Sequence, residues 1–87
     1  MLVIREYALK NEAVQTIELP KGARPIAATG RLVNFSVIAL IDPMEEEQTL
    51  HRVIAIKSGD KLPYEVDAAR LQFLERQDNF IFIHPGI

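Results

Sequence analysis

Metal ligation is the first chemistry the residue types allow. His51 and His84, with Glu45, Glu46 or Glu47, offer the imidazole and carboxylate donors that zinc takes. No HxH or HxxxH spacing brings two of them onto one element, so the spacing builds no site and no metal is expected. Both histidines read as half-exposed residues, His51 opening a strand and His84 ending one. Glu45–Glu46–Glu47, the one dense run of charge, reads as a solvated loop tip, with an acidic decoy or a cation-binding loop as the sharper alternative. Nucleophilic catalysis needs a hydroxyl or thiol beside an oriented base. The chain has no cysteine, and neither Ser36 nor Ser58 sits in a Gly-x-Ser-x-Gly frame. No enzymatic activity and no cofactor are expected.

Anion binding remains. Lys57-Ser58-Gly59-Asp60-Lys61 lacks the glycine spacing of a phosphate loop, yet its turn can present backbone N–H groups to an anion. Arg52 and Lys57, with the Ser58–Gly59 turn and with Arg31, form the candidate ligand site. An arginine there supplies a bidentate, charge-assisted contact. Arg52 and Lys57 lie five residues apart, so in a regular strand they point to opposite faces. Joint action requires a bulge between them or contributions from different subunits.

Charge narrows the partners. Ten Lys/Arg oppose twelve Asp/Glu, for a net charge of −2, and no two basic residues are adjacent. A general nucleic-acid surface is therefore not expected, because such surfaces concentrate cations to displace phosphate counterions. No apolar stretch approaches the roughly 18–20 residues of a membrane span. The absence of cysteine suits a cytoplasmic setting.

The elements that must position these groups read as short strands between turn signals. Leu2–Leu9 is the first run. Val14–Leu19 follows, with Gln15, Ile17 and Leu19 on one face, and Pro20-Lys21-Gly22 ends it with turn chemistry. Arg24–Thr29 is a third run and Leu32–Ile41 the most apolar. In the latter, Val37 to Ile41 is apolar on both faces, as in a central strand covered twice or a strand whose outer side meets another subunit. Val37, Ile38 and Leu40 are accordingly the candidate oligomer interface. Thr49–Lys57 and Phe80–Ile83 complete the clear strands. Residues 66–77 are ambiguous between a helix and a short turn followed by a strand over Leu71–Glu75, and the alternation of Leu71, Phe73 and Glu75 favours the strand. The expected architecture is one all-β domain over residues 1–87, a small antiparallel sandwich or partly closed barrel of about seven strands. The alternative is an α+β fold with one helix near 66–77. A chain of 87 residues has a thin core, and a homo-oligomer, a dimer before a larger ring, would cover its spare apolar surface.

Gln15-Thr16-Ile17-Glu18-Leu19-Pro20-Lys21-Gly22-Ala23, Ala39-Leu40-Ile41-Asp42-Pro43, Arg52 to Ile56 with Gly59 after it, and Phe80-Ile81-Phe82-Ile83-His84 together resemble a family of small uncharacterised phage and prophage proteins, a domain of unknown function. Ser58-Gly59 stands where the family tends to carry Thr-Gly, and Pro85-Gly86-Ile87 follow His84 in place of further apolar residues. The resemblance implies a small all-β phage accessory protein in the host cytoplasm. Such a protein would block a host protein or sequester a small signalling nucleotide, as in counter-defence; the alternative is a structural, virion-associated module.

Overall fold

The computed structural model describes residues 1–10, 12–29, 35–62, 66–76 and 79–85. It is an all-β protein of seven strands: β1 (Val3–Ala8), β2 (Val14–Pro20), β3 (Arg24–Thr29), β4 (Ser36–Ile41), β5 (Gln48–Ile56), β6 (Gln72–Arg76) and β7 (Phe80–Pro85). They form two antiparallel sheets, β1-β4-β3 and β2-β5-β7-β6, and no closed barrel. The ambiguous stretch is not an α-helix. Asp67 caps a single 3-10 turn, Ala68–Arg70, by accepting from the Ala69 N–H at 3.0 Å, and β6 begins directly after Leu71. The α+β alternative therefore fails. Good helix formers in the middle of 66–77 give way to the pairing of β6 with β7, in which Leu74, at a break in the ladder between Phe73 and Glu75, is buried while Phe73 is 52% exposed.

Side-chain alternation decides what each sheet buries. In β4 the residues Val37, Ala39 and Ile41 are wholly buried, while Ser36, Ile38 and Leu40 between them are half-exposed on the outer face. In the other sheet Leu19, Val53, Ile81 and Ile83 face inward, and they meet Val37 and Ala28 of the first sheet in one core that also takes Leu74. Ile17 and Tyr7 pack against its margin. The core thus lies between the sheets, as the pleat of a sandwich requires.

Two turns depend on glycine. The Ala23 N–H closes onto the Pro20 carbonyl at 3.0 Å with Gly22 at φ 83°, and the Asp60 N–H onto the Lys57 carbonyl at 3.1 Å with Gly59 at φ 92°. A positive φ at the third residue of such a turn is strained for any residue with a Cβ. Two bulges interrupt the ladders, at Ile26 between Pro25 and Ala27 and at Leu74 between Phe73 and Glu75. They lie on β3 and β6, the two strands through which the sheets approach each other along one side. There the Gln72 Nε2 donates to the Pro25 carbonyl at 2.9 Å and ties the sheets together.

Candidate functional site

Where β3 and β6 meet, the sandwich opens into a cleft of about 200 Å³. Ala23, Arg24 and Pro25 wall it on the β3 side, Arg70 and Gln72 on the β6 side, and His51 and Ile83 form its base. Among the described residues no acidic residue lines it, and neither Arg24 nor Arg70 has a carboxylate partner.

The base of the cleft is set by β5. His51 pairs with Ile17 on one side and with Pro85 on the other, on the inward face of the sheet, and is 8% exposed. Thr49, two residues earlier on the same face, donates its hydroxyl to the Leu19 carbonyl at 3.3 Å and lies 3.0 Å from the His51 Nε2. The ring nitrogen facing the hydroxyl donates to it or accepts from it according to the tautomer of the imidazole. The contact links the two side chains across the inward face of β5.

Burial also holds the His51 pKa below its usual value, because the desolvated ring resists protonation. The unfolded chain therefore takes up this proton at a higher pH than the folded one does. Stability from this source is fully present above the ordinary histidine pKa and is lost as pH falls through that value toward the lowered one. Urea midpoints measured from about pH 7.5 to about pH 5.5 are expected to fall with pH, and the slope to flatten in His51→Gln. An equal slope in the variant would assign the effect to other groups.

The residues expected from sequence to hold an anion are not brought together. Arg52 lies in the middle of β5 on the outer face of the four-stranded sheet, opposite Thr16 and His84, and is already engaged in an interaction. Lys57, Ser58 and Gly59 are exposed beyond the end of that strand. Five residues of extended chain put Lys57 about 16 Å from Arg52 at roughly 3.3 Å per residue, and the strand pairing runs without a bulge between Arg52 and Ile56. Arg31 falls outside the described residues. Of the proposed interface, Val37 points into the core, and only Ile38 and Leu40 reach the outer face.

The other candidates have structural roles. The Asp67 N–H donates to the Nε2 of buried His84 at 3.1 Å, fastening the 3-10 segment onto β7. The acidic loop is an ordered turn. The Asp42 and Glu45 carboxylates accept from the Met44 and Glu47 N–H groups at 2.9 and 3.1 Å, and the Glu47 carbonyl accepts from the Lys21 N–H. Among the described residues no group of three or more metal-ligating side chains assembles, and no helix is long and apolar enough to cross a membrane.

Sequence reasoning missed the cleft. Arg24, His51, Arg70 and Gln72 come from three separate strands and a turn, and only the β3–β6 approach joins them. The one signal present was the pair of irregular edges, Pro25 in a strand and the turn before β6. No family model, curated protein or solved structure matches the chain.

Proposed function

We propose that the chain is a non-enzymatic binding protein that takes a small anionic ligand in the cleft between β3 and β6. The observation that carries this reading is a concavity bordered by Arg70, which has no carboxylate partner among the described residues, with a glutamine amide, a buried histidine and no acid among the described residues that line it; Arg24 stands at its rim, on the outer face of β3. At about 200 Å³ it is smaller than the roughly 300–1,000 Å³ of sites that enclose a drug-sized molecule. It suits a phosphoryl or carboxylate group, with the rest of the ligand lying outside across the sheet edge. A guanidinium supplies paired N–H donors to such a group, and an anion would favour the protonated ring of His51, so affinity should rise as pH falls.

Within the phage resemblance, this makes the protein an accessory that sequesters a small signalling nucleotide in the host cytoplasm. A virion-associated module is the other reading, and abundant protein in mature particles would favour it. Titration with inorganic phosphate and then with mononucleotides, followed by the amide signals of His51 and Ile83, tests the site. Perturbation there is expected, with Arg70→Ala weakening binding about 10–100-fold, since a charge-assisted contact contributes about 1.5–3 kcal/mol. No response from the cleft to either class of anion would remove the proposal.

A further inference from the structure

The outer face of the three-stranded sheet carries a second surface. The register of β1 and β3 on β4 lays out its side chains in rows. Ile4, Leu40 and Arg24 form one row; Glu6, Ile38 and Ala27 form the next. Ile4 is 68% exposed and Leu2, one step further along the same face, 60%. Ile38 and Leu40 are half-exposed beside them. The face is thus an apolar centre with one acid on the β1 side and one base on the β3 side. Among the described residues neither has an ion-pair partner.

We infer that this face packs against the same face of a second copy, around a two-fold axis parallel to β4. That operation sets β4 over β4 and lays β1 of one copy over β3 of the other. Ile38 and Leu40 then meet their own counterparts. Glu6 of each copy comes diagonally beside Arg24 of the other, closing a charge pair on both sides of the apolar strip. A two-fold contact must be self-complementary, and an acid and a base on opposite sides of an apolar strip meet that condition. The stem of Arg24 covers Ile4 of the opposite copy.

Edge-on pairing of β1 is disfavoured by the same sequence. A continuous antiparallel sheet requires facing residues to share a side. The two fullest symmetric registers therefore set Arg5 against Arg5 or Glu6 against Glu6, and like charges directly opposite are destabilising. Three strands about 4.8 Å apart and six residues long offer only about 300 Å² of flat sheet. That lies at the low end for interfaces, so the dimer is a reversible one of micromolar or weaker affinity.

Sedimentation velocity from about 10 µM to about 1 mM tests this across the expected affinity range. The wild type is expected to move from the 9.8 kDa chain mass toward twice that value. Ile4→Asp, at an exposed position that leaves the fold intact by circular dichroism, should remain monomeric throughout. Glu6→Arg and Arg24→Glu each remove both symmetry-related pairs and should weaken association about 30-fold, at roughly 1 kcal/mol for each pair lost. The double variant, in which each arginine again meets a glutamate, should restore it. A wild type that stays monomeric to the highest concentration would overturn the inference. So would a dimer that survives Ile4→Asp, or a double variant that associates no better than the singles.

Discussion

Leu19→Ala is expected to lower the free energy of unfolding by about 2–5 kcal/mol. Leu19 is completely buried near the end of β2, in the cluster shared by both sheets. Its removal deletes about 2–3 kcal/mol of apolar burial and leaves a cavity that a close-packed interior cannot fully collapse. The site has little freedom to relax, because the Leu19 carbonyl accepts from the Thr49 hydroxyl and the next turn is closed by the Ala23 N–H on Pro20. A domain of this length is stable by roughly 4–13 kcal/mol in all, so the variant loses a large share of its margin. The check is a urea midpoint, with Ile4→Ala as the companion. Ile4 is on the exposed outer face of β1, and its truncation should change stability by no more than about 0.5 kcal/mol. Equal losses in the two variants would mean that the core does not lie between the sheets.

The strands were legible because each combines apolar alternation with a physical stop. Val14 to Leu19 alternates and then meets Pro20-Lys21-Gly22, and the structure ends β2 at Pro20 with Gly22 in the left-handed region. Arg24–Thr29 appears with the bounds its run suggested. The choice of strand over helix near Leu71 also agrees with the structure, since the adjacent Ala68 and Ala69 nucleate no more than one 3-10 turn. The cleft was not legible. Arg52, Lys57 and the Ser58–Gly59 turn are near in sequence, but an extended chain separates neighbours by distance and by face. Arg24 and Arg70 are 46 positions apart in the chain and line one cleft. Which strand edges lie beside each other is a property of sheet order, and sheet order depends on pairings that no single segment encodes.

Val37 and Ile38 put the two faces of one apolar run to the sharpest test. Adjacent, both β-branched and both in β4, they are hard to rank from sequence alone. In the structure Val37 has no exposed surface and Ile38 is half-exposed on the outer face. Val37→Asp places a carboxyl group in the cluster of Ala28, Val53 and Ile83, and among the described residues no lysine or arginine is buried. The cost of burying it, ionised or neutralised, is several kcal/mol. Loss of the valine adds about 1.5–3 kcal/mol. The sum approaches the whole stability of the domain, so the variant is expected to be unfolded at 25 °C by circular dichroism. Ile38→Asp keeps its carboxylate at the water-facing side of β4, so the monomer is expected to fold, with a stability loss of about 1 kcal/mol. Its effect should appear in association: the carboxylate would sit at the centre of the face inferred to meet a second copy, and the dimer should be lost over the whole concentration range. A folded Val37→Asp together with an unfolded Ile38→Asp would mean that β4 is shifted by one residue, which exchanges every inward and outward side chain along it.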